Sequence, residues 1–175
     1  MESALPDSDV RLLLDYASLY TTANPTERLL KLGKFLPVVC RYFYDSMDRI
    51  DDFLNRIDYF LADDHGTRDL DVLLFLMEKK SKEVDSNIQR AHDSFEVYMK
   101  CKRFFRDFDR QKIQRIVRIA ESQTGRACEH RQIEDHLERC LERAAKTKEN
   151  IVDEIDRLKE IIEERRESED SESLS

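Results

Sequence analysis

The chain has 175 residues, of which 39% are charged and 40% are apolar, and its formal net charge is −8. Its length suits one domain, and its negative charge argues against general binding to nucleic acid or anionic membranes, because their phosphate groups would be repelled. The apolar residues recur at regular intervals, which excludes a chain that is disordered throughout.

Proline and glycine, the main breakers of helices, are almost absent after residue 37. The last proline is Pro37, and the only glycines that follow it are Gly66 and Gly125. Between these breakers, apolar residues recur at alternating steps of four and three, as in amphipathic helices that pack on other helices. The pattern predicts an all-α protein, built as an elongated antiparallel helical bundle or coiled coil of three long helices preceded by two short helices.

The two short helices are predicted within residues 1–36. The first has Asp7 or Ser8 as its cap. The second runs from about Pro25 to Leu36 behind the cap Asn24, since asparagine caps helices and proline is tolerated in the first turn. Pro37 then predicts a kink or the start of a new helix, because proline lacks an amide donor and clashes with the preceding turn.

The long-helix bundle is predicted over residues 37–166. Its first helix carries a complete heptad stripe: Leu36, Cys40, Phe43, Met47, Ile50, Leu54, Ile57 and Leu61. The second helix is predicted to run unbroken from about Arg68 to Gln123, although its stripe changes phase after Tyr98. This change indicates a stutter, a bend near residues 107–109 or a change of packing partner, and we favour the change of partner.

The last long helix is predicted from about Ala127 to Arg166. Hairpin turns are expected before it, near residues 123–126, and earlier, near residues 63–68. Its stripe comprises Leu137, Leu141, Ala144, Lys148, Ile151, Ile155, Leu158 and Ile162. Lys148 occupies a core-type position, where it lowers stability and can select the register or the partner. Residues 167–175 are acidic and rich in serine, without an apolar face, and are predicted to be disordered.

The residue pattern contains no recognisable catalytic or metal-binding motif. Cys128, His130, His136 and Cys140 form the only group that suggests zinc, but Cys128 and His136 would lie about 12 Å apart along a helix axis. Glu-x-x-His units, glycine-rich phosphate loops and Gly-x-Ser-x-Gly elbows are absent. We therefore expect no enzyme activity, no cofactor and no metal site.

Charge is segregated along the chain. Residues 100–118, called the basic stretch below, contain eight basic and two acidic residues, for a net charge of +6. Residues 44–78 contain ten acidic residues and three arginines, for a net charge of −7. The basic stretch is either a solvated face balanced partly by acids of the last helix, or a docking surface for an acidic partner protein; its phenylalanines are expected in the core.

These features predict a non-enzymatic adaptor: a coiled-coil subunit of a multi-protein complex that binds other helical proteins, or a second copy of itself, as a homo- or hetero-oligomer. The predicted partner-binding residues fall in the basic stretch and the last apolar stripe: Lys102, Arg103, Arg106, Arg110, Arg115, Leu137, Leu141, Lys148, Ile151, Ile155, Leu158 and Ile162. The alternative is a helical dimer that presents the basic stretch to a membrane surface. A compact bundle with a ligand cavity would suit the Met and Phe content but lacks convergent polar residues.

The expected location is intracellular, in the cytoplasm, with the nucleus left open. The amino terminus lacks the basic and apolar regions of a signal peptide, and the four cysteines have no compact spacing, as expected of reduced thiols. The longest apolar run, residues 72–77, is too short to span a bilayer, although peripheral contact with a membrane is left open.

Overall fold

The computed structural model describes residues 18–63, 65–66 and 69–173. The described residues form helices α1 (Pro25–Ala62), α2 (Leu70–Lys102), α3 (Arg110–Thr124) and α4 (His130–Ser173), and a 3-10 helix (Arg103–Asp107) joins α2 to α3. Residues 18–21 are also helical. No strand occurs in the described ranges, so the predicted all-α class is confirmed. The helix predicted from Asp7 falls largely outside the described residues.

The described chain forms two compact units. The first contains the described residues up to Asp48 together with Ala91–Glu138, and the second contains the described residues of Arg49–Arg90 and those from Arg139 onward. Three of the helices, α1, α2 and α4, contribute residues to both units. The 3-10 helix and α3 belong to the first unit alone.

Helix α1 begins as predicted but continues through its proline. The Asn24 side chain accepts hydrogen bonds from the amides of Thr26 (2.9 Å) and Glu27 (3.3 Å), which confirms the cap. Pro37 lies inside the helix, so the prediction of a short helix that ends at Leu36 is wrong. A proline inside a helix costs about 3 kcal/mol, but full burial of one large aliphatic side chain returns about 1.5–3 kcal/mol. Leucines and valine around the proline are fully buried: Leu32, Leu36 and Val39.

Burial along the three longer helices follows the predicted stripes in part. On α1 every stripe residue from Leu36 to Ile57 is at most 1% exposed, while Leu61 is half-buried. On α4 the stripe residues Leu137, Ala144, Ile151, Ile155 and Leu158 are buried. The stripe predicted for α2 has nine positions: Leu70, Leu74, Met77, Ser81, Val84, Ile88, Ala91, Phe95 and Tyr98. It is less regular, because only Met77, Val84, Ala91 and Tyr98 are buried.

The segment predicted as one helix from Arg68 to Gln123 is broken, which corrects that prediction. Helix α2 ends at Lys102, and after the 3-10 helix the backbone of Phe108 is extended, with φ −131° and ψ 154°. Asp109 then caps α3, because its side chain accepts a hydrogen bond from the Lys112 amide at 3.0 Å. An aspartate at this position offers the backbone a helix start that competes with continuation of α2.

Helix α3 ends at the predicted turn, whereas α4 continues beyond its predicted end. The turn near residues 123–126 is confirmed: Gly125 adopts a left-handed conformation, with φ 70° and ψ 14°, and its amide donates to the Glu121 carbonyl at 2.8 Å. Helix α4 extends to Ser173, so disorder was wrongly predicted for residues 167–173. Their side chains are exposed.

Polar contacts join the helices of the second unit. Arg143 on α4 binds Asp51 (3.1 Å), Asp58 (3.6 Å) and Asn55 on α1, and Thr147 donates to Asp58 at 3.5 Å. Contacts of later residues on α4 fall, on average, at later residues on α1. The two helices therefore run in the same direction within this unit.

Two glycines predict opposite effects of the same substitution. Gly33 lies inside α1, where an added Cβ would stand 3.9 Å from Cγ1 of Ile116, an ordinary contact. Gly33→Ala should therefore stabilise the protein by about 0.5–1 kcal/mol. Gly125→Ala should destabilise it by about 1–2 kcal/mol, because of its positive φ. Urea denaturation followed by circular dichroism measures both; equal signs would contradict the assignment of Gly125 as the left-handed cap.

Candidate partner-binding surface

The basic stretch follows the end of α2, the 3-10 helix and most of α3, all within the first unit. Of the predicted partner-binding bases, Arg103, Arg106, Arg110 and Arg115 are exposed, and Lys102 is half-buried. The break between α2 and α3 therefore leaves these cations near the surface, although they do not lie on one continuous helix.

Carboxylates within the protein neutralise little of this charge. Among the described residues, Lys112 is the one base of the stretch that forms an ion pair, with Asp109 at 3.5 Å. Asp107, the other acid of the stretch, pairs with Arg28 at 3.0 Å. In the described part of the chain, none of the eight bases forms an ion pair with an acidic residue of α4. The last helix therefore does not neutralise the basic stretch through ion pairs there.

A cavity of about 520 Å³ opens within the basic stretch. Its apolar lining comes from Tyr98, Phe105, Phe108, Ile113 and Val117, and its charged lining from Lys102, Arg110, Arg118, Glu129 and His130. The prediction that the phenylalanines would be in the core holds for Phe104, which is 8% exposed. It is wrong for Phe105 and Phe108, which are half-buried and line the cavity, because the helical spacing that placed them inward stops at Lys102.

One face of α3 forms a wall of this cavity. Arg110, Ile113, Gln114, Val117 and Arg118 all line it, and their separations of three, four, seven and eight residues place them on one side of a helix. Arg110 and Arg118 thus stand about 12 Å apart along the helix axis. A second hollow of about 530 Å³ adjoins Arg118 and is lined by Arg115 and Ile119.

His130, which the sequence suggests only as a zinc ligand, lines the cavity. Its Nε2 lies 2.7 Å from Oε2 of Glu134, and its ring stacks against Tyr98 with centroids 6.2 Å apart. Its buried Nδ1 has no hydrogen-bond partner among the described residues. No local sequence signal could have placed it there, because α2 and α4 meet only in the folded chain.

Most of the apolar residues of α4 that were predicted to bind a partner are buried in the protein's own core. Leu137, Ile151, Ile155 and Leu158 are buried, whereas Leu141 and Ile162 are half-buried. Lys148 forms an ion pair with Asp85 on α2, within the second unit. A partner helix could therefore reach Leu141 and Ile162 without opening the fold, whereas the four buried residues serve the protein's own core.

Several cysteine and histidine side chains of the first unit are buried or packed against aromatic rings. Within the described ranges, no three His, Cys, Asp or Glu side chains are grouped so that they could hold a metal ion. His136 instead packs edge-on against Tyr44, at 5.1 Å between centroids. Cys40, Cys101 and Cys128 are fully buried. The hydrogen bond to Cys128 and burial raise the pKa of Cys40, and burial raises that of Cys101, so these two remain protonated and poor nucleophiles.

Two buried tyrosines fix the connection between α3 and α4, and with it one side of the cavity. The Tyr44 hydroxyl donates to the Ala127 carbonyl at 2.5 Å, and the Tyr98 hydroxyl donates to the Cys128 carbonyl at 3.1 Å. Arg126 pairs with Asp48 at 3.0 Å and lies 4.8 Å from the centroid of the Tyr44 ring. Burial raises the pKa of both hydroxyls, so they remain donors at neutral pH.

Comparison with protein families, with curated proteins and with solved structures finds no match to this chain. In the part of the chain that the structure describes, no helix combines the length and the apolar character that crossing a membrane requires.

The dependence of stability on alkaline pH should reveal the contribution of the Tyr44 hydroxyl, which binds the connection between α3 and α4. Burial raises its pKa from 10.0 to about 12, so the unfolded chain loses this proton at a lower pH than the folded protein does. The contribution to stability is complete below pH 10.0 and is lost as the pH rises towards 12, at about 1.4 kcal/mol per pH unit. Tyr44→Phe should therefore lose stability less steeply in this window.

Tyr59→Phe is the matched control, because Tyr59 is 80% exposed. Urea denaturation across this pH range measures the difference between each variant and the wild type. A wild-type pH profile in Tyr44→Phe would show that the hydroxyl does not anchor the connection.

Proposed function

We propose that the protein is a non-enzymatic adaptor, a coiled-coil subunit of a multi-protein complex that binds an acidic helical partner through its basic stretch. The observation that carries this proposal is that seven of the eight bases lack a carboxylate partner among the described residues. Exposed cations without internal partners are available for pairing across an interface, where charge complementarity sets partner choice and association rate.

The pairing of the acidic residues of α1 supports the same proposal. Asp48 pairs with Arg126, while Asp51 and Asp58 pair with Arg143. These three aspartates therefore meet cations outside the basic stretch, which keeps its excess positive charge for a partner.

Apolar contacts would supply much of the affinity. Ile119 is 46% exposed beside Arg118, and Leu141 and Ile162 are half-buried on α4. Isolated charge pairs at the surface contribute only about 0–1 kcal/mol each. The charges would therefore select the partner, and the apolar contacts would supply most of the binding free energy. The partner is either a second copy or a different helical protein.

An intracellular location is part of the proposal. All four cysteines are free and buried, which suits a reducing compartment.

Charge reversal tests the proposal directly. The variant carries Lys102→Glu, Arg106→Glu, Arg110→Glu and Arg115→Glu, and the expected result is loss of partner recovery with unchanged helicity and melting. The control reverses four exposed bases of α4, Arg131, Arg139, Lys159 and Arg165, which changes the net charge equally. Affinity capture with quantitative mass spectrometry compares both with the wild type; equal recovery in all three would show that the basic stretch is not the docking surface.

Salt and lipid separate the two functional hypotheses. Partner binding through the basic stretch should weaken as salt rises through about 0.15 M, where the Debye length falls to about 8 Å. Sedimentation with phosphatidylserine vesicles should recover little protein. Salt-sensitive recovery on these vesicles, lost in the reversal variant but kept in the control, would favour the membrane-surface dimer instead.

A further inference from the structure

The cavity within the basic stretch combines an apolar lining with basic side chains. Its floor is aromatic and aliphatic, through residues such as Phe105, Phe108 and Ile113, while Arg110 and Arg118 stand at its two ends along α3. An occupant that satisfied both parts would be apolar in the middle and negative at both ends. Its volume, about 520 Å³, lies in the range of natural ligand pockets.

The charged side chains that line the cavity come from three helices and from the connection before α4. Lys102 comes from α2, Arg110 and Arg118 come from α3, Glu129 precedes α4, and His130 opens α4. Glu129 offsets one of the three cations, and His130 is held by Glu134. The balance remains positive, and neither of the two arginines has a carboxylate partner among the described residues.

The spacing of the arginines suits one kind of partner. Two residues eight positions apart on any α-helix stand about 12 Å apart along its axis, which is also the separation of Arg110 and Arg118. A helix laid nearly along α3 can thus present two carboxylates to the two guanidinium groups and insert an apolar side chain between them. Guanidinium groups suit this role, because their planar donors pair with both oxygens of a carboxylate.

We infer that this cavity is a docking site for an amphipathic helix of a partner protein, which inserts an apolar side chain between Arg110 and Arg118 and pairs two carboxylates, eight residues apart, with those arginines. The inference rests on the proposed function and adds the recognition pattern of the partner. Helices recognised in grooves commonly use anchors at such spacings.

The test uses three fluorescein-labelled, alanine-based helical peptides and the full chain. The first carries glutamates four residues before and four residues after a leucine, on one helix face. The second has the same composition, with the glutamates two residues from the leucine and hence on the opposite face. The third replaces the leucine of the first with serine. Fluorescence anisotropy should show the first peptide binding about tenfold tighter than either of the others, as expected for loss of about 1.4 kcal/mol.

Single substitutions in the protein locate the contacts. Arg110→Gln and Arg118→Gln should each remove most of the preference for the first peptide over the second. Arg139→Gln is the matched control, because Arg139 is an exposed arginine of α4 that lies outside the basic stretch and does not line the cavity; it should keep the preference. Circular dichroism of each variant checks that helicity is retained.

Distinct results would overturn the inference. Equal binding of the first two peptides, or an equal loss in Arg139→Gln and Arg118→Gln, would reduce the cavity to part of a non-selective cationic surface. Binding of the anion 1-anilinonaphthalene-8-sulfonate that is lost in Arg118→Gln, without binding of any peptide, would assign the cavity to a small amphipathic anion. In all these cases the proposed function would stand if charge reversal still abolished partner recovery, so the two failures are distinguishable.

Discussion

From Leu32 to Ile57, α1 places an apolar side chain in the core at almost every turn, and most of these side chains are completely buried. Both compact units draw on this helix, so its buried face is the constraint to which the remaining elements adjust. It also explains why Pro37 does not end the helix. The cost of one missing hydrogen bond and a local clash is smaller than the free energy of burying the leucines and valine around it.

The break between α2 and α3 has the opposite origin. There the local signals, an aspartate cap at Asp109 and phenylalanines that no longer share one helix face, favour a new start, and the chain takes it. As a consequence, Phe104 is buried, whereas Phe105 and Phe108 line a cavity between α2 and α3. The break therefore converts part of a charged helix into a concave surface with an apolar floor.

The arginines that form ion pairs with α1 lie outside the basic stretch. Arg126 and Arg143 meet aspartates of α1 and help to hold helices together within their units. Most of the basic stretch has no such partner among the described residues. Exposed ion pairs stabilise a fold only weakly, so these cations contribute little to folding. Under the proposed function they would raise the association rate with an acidic partner and select it.

The sequence by itself determined the helical class, the cap at Asn24, the turn at Gly125 and the buried stripes of α1 and α4. These depend on periodicity and on single residues with strong local preferences, such as a capping asparagine or a glycine at positive φ. It also located the basic stretch, since charge is read directly from residue type. The helical last residues of α4 were missed, because composition alone does not report the helix that precedes them.

Only the tertiary structure decided whether Pro37 or the segment around Asp109 would break its helix, since each outcome depends on a balance between local preference and burial. It also decided which charges are paired and which residues share a cavity. The ring of His130 stacks against that of Tyr98, and both line the cavity, although the two residues are distant in sequence. Such contacts follow from how helices pack, and a one-dimensional pattern specifies which face of a helix is apolar without specifying which face of another helix will meet it.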